Sequence, residues 1–113
     1  MQRRNQTRTF AIDRGWFLVT FVTRHRRRCL GYLDGPRFVA HPLGALVIEA
    51  WEWTCEGPMH VRSLVVQPMP EHVHGVVCMD GAASPLDRFV AAVKGRTTRR
   101  AREEGVIGTS IKL

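Results

Sequence analysis

The clearest hydrophobic pattern in the chain is Trp16-Phe-Leu-Val-Thr-Phe-Val-Thr23, whose aromatic and β-branched residues predict a strand. A basic turn, Arg24-His-Arg-Arg-Arg28, follows it, and then Leu30 to Leu33, the turn Asp34-Gly35-Pro36 and a short return strand over Arg37 to Ala40. Behind Pro42, the residues Leu43, Leu46, Val47, Ala50 and Trp51 recur at spacings of three and four. That period predicts an amphipathic helix, opened by Pro42 and ended by Gly57-Pro58. Residues 60–67 and 72–79 read as two more strands joined by a Pro-Met-Pro-Glu turn. Ser84 and Pro85 suit the N-cap and first position of a second helix. Its inner stripe is Leu86, Phe89, Val90, Val93, Thr97 and Ala101, with Gly105 as its cap. Residues 1–15 read as a basic, polar arm. The element order predicts an α+β sandwich, with the helices on one face of an antiparallel sheet.

The 113 residues suffice for one domain with one modest core, here expected over 16–113. No apolar run is long enough to cross a bilayer, so a soluble, cytoplasmic protein with no membrane partner is expected. Cys29, Cys55 and Cys78 are odd in number and form no CxxC, which excludes a disulfide framework and a zinc ribbon as readings. Charge changes the picture more. Seventeen Lys and Arg against ten Asp and Glu leave +7, nearly all of it arginine. Such an excess favours a polyanionic partner, and the planar guanidinium suits phosphate and nucleobase contact.

The candidate chemistry lies in Glu71-His-Val-His-Gly75. Residues two apart in a strand project from the same face, so His72 and His74 present their imidazoles side by side while Val73 points into a core. Two imidazoles on one face suit two ligands of one metal ion. The same spacing also serves an ordinary pair of hydrogen-bonded histidines. Two basic clusters are candidate phosphate contacts: Arg24, Arg26, Arg27 and Arg28 after the first strand, and Lys94, Arg96, Arg99 and Arg100 on the second helix. Trp51 falls on an apolar stripe and reads as core, Trp53 as a boundary residue, and Tyr32 as a loop aromatic.

Four blocks resemble, in order, the REP-associated tyrosine transposases, within the wider group of single-strand transposases that carry a His-hydrophobe-His motif. They are Gly15 to Arg24, His41 to Trp51, Met69 to Val77 and Phe89 to Arg99, distributed over residues 15–99. The resemblance implies a ferredoxin-like α+β domain that cleaves and rejoins single-stranded DNA at palindromic-repeat hairpins. It implies that His72 and His74 hold a divalent metal, Mg2+ or Mn2+, that the basic clusters hold phosphates, and that a homodimer is one assembly state. In the family a tyrosine on a C-terminal helix attacks phosphorus, which needs no nucleotide cofactor. The sequence stops at Lys112-Leu113, where the segment leading to that helix is expected, and Tyr32 matches no catalytic position. The expectation is therefore a transposase-like chain without its own nucleophile, so no catalytic residue is assigned. The alternatives are a non-catalytic module that binds hairpin DNA and a decayed fragment. Glu71 stands where the family usually has Asn or Asp, a departure at a turn position.

Overall fold

A computed structural model describes residues 7–13, 15–79 and 86–106. Ser84 and Pro85, residues 1–6 and 14 of the basic arm, and Lys112-Leu113 lie outside these residues. Eight main elements follow in order: β1 (Arg8–Asp13), β2 (Trp16–Val22), β3 (Gly31–Asp34), β4 (Arg37–Ala40), α1 (Pro42–Cys55), β5 (Val61–Pro68), β6 (His72–Met79) and α2 (Leu86–Glu103). The main sheet has the order β1-β2-β6-β5, antiparallel throughout, while β3 and β4 form a separate hairpin. Because β2 and β5 both run antiparallel to β6, they run the same way, and α1 connects them as a split β-α-β unit. This is an α+β fold, as the hydrophobic pattern predicts, and ferredoxin-like, as the resemblance implies.

One element departs from the expectation. The segment read as a basic arm contains β1, which pairs with β2 from Arg8 opposite Thr20 to Asp13 opposite Trp16. Polar residues at both ends and a bulge between Ala11 and Asp13 interrupt the alternation that marks a strand. α1 begins at Pro42 and closes at Cys55, just before Gly57-Pro58.

Both helices pack on one face of the sheet. That face presents Val19 and Phe21 from β2, Val73 and Val77 from β6, and Val61 from β5. Against it lie Leu43, Val47, Ala50 and Trp51 of α1, and Phe89, Val90, Val93 and Ala101 of α2. Trp51 is fully buried at the junction. Its indole Nε1 donates to Ser63 Oγ on β5 at 2.9 Å, and its ring meets Phe89 of α2 edge-on at 4.9 Å. Beneath it Gly75 leaves the space that the ring fills: a Cβ there would come within 2.7 Å of the indole and 2.6 Å of the Val65 carbonyl oxygen. The helices are tied outside the core by Arg96, whose fork donates to Glu49 at 2.9 and 3.3 Å and lies 4.0 Å over the Trp53 ring.

Gly75→Ala should cost about 1–3 kcal/mol through overpacking. A urea titration checks this, and an unchanged midpoint would mean that the Trp51 ring is not wedged against β6.

Candidate metal and nucleic-acid site

Strand alternation puts His72 and His74 on the sheet face that neither helix covers. The register sets His72 beside Val22 and His74 between Thr20 of β2 and Gln67 of β5, while Val73 and Gly75 point to the helices. The imidazole centroids are 5.2 Å apart and tilted by 44°. His72 is half-buried, with its Nδ1 4.0 Å from a Glu71 carboxylate oxygen. Burial, and secondarily the neighbouring His72, hold the His74 imidazole below its usual pKa. Two imidazoles side by side could supply two ligands to a metal ion, with the remaining positions left to water or to oxygens of a bound phosphate. That donor set suits Mn2+ better than the harder Mg2+, which prefers oxygen ligands throughout. Among the described residues no cluster of three or more His, Cys, Asp or Glu is placed to hold a metal.

The turn that presents the pair is fixed by backbone contacts. Met69 N–H donates to the His72 carbonyl at 2.7 Å, closing the tight turn between β5 and β6. Thr23, buried at the end of β2, donates both its N–H and its hydroxyl to the Glu71 carbonyl, at 2.9 and 3.1 Å, and the hydroxyl also reaches the Arg27 carbonyl at 2.7 Å. These bonds seat the basic segment beside the histidines. There the chain makes a short 3-10 turn over Arg24–Arg26, with His25 and Arg26 at φ of 59° and 52°. Two consecutive left-handed residues that are not glycine are costly and persist only where their surroundings hold them.

The expected phosphate contacts divide. Arg24, Arg27 and Arg28 are exposed, and their side chains have no hydrogen bond or ion pair among the described residues. Arg26 lies 3.5 Å from Glu71, an exposed pair of small energetic weight. Arg99 is exposed on α2, whereas Arg100 is paired with Glu104 and Arg96 is committed to Glu49 and Trp53. Lys94 lies 5.1 Å over the ring of Phe21, and burial lowers its pKa. Phe21 faces the helices, so the sheet separates Lys94 from the histidine pair. The loop cluster therefore joins the candidate site, and the α2 cluster stands apart from it.

Tyr32 is not in a loop: it lies on β3, half-exposed, with its ring 5.6 Å from that of His41. The apolar side chains surrounding the pair on its own face, Phe10, Trp16, Leu18, Val65 and Val76, were not read from the sequence as part of a site. Counting by twos along β6 from His74 to Val76 is the local signal for that face, and the register with β1, β2 and β5 brings the others to it. Arg62 of β5 confirms the register physically, lying 5.9 Å over the Trp16 ring and 3.4 Å from Cys78 Sγ on the same face.

The class defined by this architecture is an antiparallel ferredoxin-like α+β domain with one open sheet face. No family model matches the chain, and no curated protein matches it either. No helix among the described residues is long and apolar enough to cross a membrane.

In an NMR titration His74 should titrate below 6.5, and His72→Ala should move it only part of the way back, because burial is the larger cause. The sign for stability follows from proton count. Below 6.5 the unfolded chain binds more protons at this position than the folded one, so the His74 contribution to stability rises with pH through that window. A His74 midpoint at or above 6.5 in the intact protein would contradict its burial.

Proposed function

We propose that this domain binds single-stranded, hairpin-forming DNA at the sheet face carrying His72 and His74, as a DNA-processing domain of the tyrosine-transposase type. The observation that carries the reading is the pairing of two imidazoles on an open face with a loop at the same end of the sheet whose Arg24, Arg27 and Arg28 have no side-chain partner among the described residues. His72 and His74 would hold a divalent ion, whose chemistry when bound is to polarise a phosphate and orient it for attack. Arg24, Arg27 and Arg28 would draw the backbone to that end by phosphate contact, which gives affinity and register without choosing bases. Glu71, between Arg26 and His72, would steady the His72 ring by accepting from its Nδ1, the usual outer partner of a metal-binding histidine.

A second reading has its own support. The chain's single tyrosine, Tyr32, belongs to the β3–β4 hairpin rather than to the histidine face. That favours a domain that holds DNA and leaves cleavage to a nucleophile supplied from elsewhere, with a full-length partner that carries the tyrosine helix as one source.

The test uses a labelled single-stranded hairpin with manganese or with chelator, resolved on native and denaturing gels. Manganese should tighten binding on the native gel and His72→Ala should abolish that gain, with no covalent band on the denaturing gel. Metal-independent binding, untouched by His72→Ala or His74→Ala, would reject the metal reading and leave a hairpin-binding module. A manganese-dependent covalent band lost in Tyr32→Phe would reject the non-catalytic reading. Replacing Arg24, Arg27 and Arg28 with alanine should reduce the slope of log affinity against log salt by about 2, at roughly 0.7 per phosphate on a single strand. An unchanged slope would remove the loop from the interface.

A further inference from the structure

The open face is divided into rows by the register of its strands. One row is polar: Arg8 of β1, Thr20 of β2, His74 of β6 and Gln67 of β5. The next row, two residues along each strand, is apolar: Phe10, Leu18, Val76 and Val65 in the same order. Beyond it Trp16 lies under the Arg62 guanidinium. Neither the Arg8 row nor the Phe10 row contains a carboxylate, and Asp13 stands opposite Trp16 in the row beyond them. Leu18 and Val76 pack against nothing in the core, and Phe10 is 54% exposed on the edge strand. An exposed phenylalanine beside the half-buried Leu18 and Val76 is unfavourable in water unless something covers it.

We infer that the apolar row is a platform for unpaired bases of a single-stranded nucleic acid, with Phe10 as its stacking residue. The inference rests on the proposed DNA-binding reading and adds where the bases lie. Rows two residues apart on a strand are separated by about 7 Å. A nucleotide has the same division, an anionic phosphate at one end and a flat apolar face at the other. A phosphate lodged against Arg8 and His74 would carry its base over Phe10 and Leu18. The basic or neutral composition of the two rows complements a polyanion, which a second copy of this chain, carrying the same +7, does not supply. Stacking on an aromatic ring tolerates any base, so this row adds affinity for unpaired strands rather than a sequence code.

The test measures affinity and salt dependence for a hairpin with an unpaired flank, comparing the wild-type chain with Phe10→Ala and Phe10→Trp. The exposed ring can be removed without opening the core, and a thermal melt equal to wild type verifies this. Phe10→Ala should weaken binding roughly 5- to 150-fold, the worth of one base–aromatic stack, at an unchanged salt slope. Phe10→Trp should restore it. A bromodeoxyuridine in the unpaired flank should photocrosslink to the peptides containing Phe10 or Trp16. Wild-type affinity in Phe10→Ala, with crosslinks elsewhere, would overturn the platform and leave the DNA-binding reading standing. No DNA binding by the wild-type chain would overturn both. Loss of self-association in Phe10→Ala at unchanged DNA affinity would also overturn the platform, making the face a contact between copies.

Discussion

The fold depends on the seating of Trp51 against Gly75. A buried indole supplies a large apolar area, and this one contacts three other elements at once: the flat backbone of β6, the Ser63 hydroxyl on β5 and the edge of Phe89 on α2. Because the indole N–H is satisfied by Ser63, its burial leaves no donor unpaired. Gly75 is therefore a requirement of packing, and its place directly after His74 couples the core to the site. The ring pins the helix-facing side of β6, which aims the neighbouring His72 and His74 the other way. A slip of one residue in β6 would bury both imidazoles and expose Val73, so the apolar core enforces the orientation of the polar pair.

The same sheet explains why the arginines are not equivalent. Those on α2 serve the helix layer: Arg96 bridges to Glu49 and stacks on Trp53, and Arg100 is held by Glu104 one turn away. A guanidinium already paired and stacked must break those contacts before it meets a phosphate. Arg24, Arg27 and Arg28 carry no such commitment, and Thr23 ties their loop to the carbonyl of Glu71. The loop's left-handed His25 and Arg26 are tolerable because Thr23 fixes the backbone on both sides of them. Among the described residues Arg24, Arg27 and Arg28 have no side-chain partner at the histidine end, and Arg99 has none on α2.

Much of this was legible in the residues. The run Trp16–Val22, the three-four spacing behind Pro42 and the inner stripe of α2 each carry one period cleanly, and each became the element it predicts. Strand alternation at His72 and His74 was enough to place them on one face. β1 was illegible because Arg8 and Asp13 close a short strand whose bulge breaks the period at Ile12. The separation of Lys94 from the histidines was also hidden. Helical spacing places Lys94 on a flank but says nothing about which side of a distant sheet that flank meets. The Glu49–Arg96 pairing joins residues 47 positions apart and has no local signature.

The open face is the feature that most needs a physical reason. A four-stranded sheet with helices on one side can bury its second side or expose a polar one, and this sheet does neither completely. If the exposed row served stability alone, polar residues at Phe10 and Val65 would serve better, because both side chains remain in water. Their retention beside a row of hydrogen-bonding side chains has a consistent explanation in ligand contact. The polar row cannot cover an apolar surface, and the apolar row cannot hold an anion. Together they match an amphiphilic polymer with repeating charge and repeating flat faces, and single-stranded nucleic acid is such a polymer. On this reading the alternation that aims the histidine pair outward also determines the neighbouring surface, so the metal-binding and base-binding properties of the face share one structural origin.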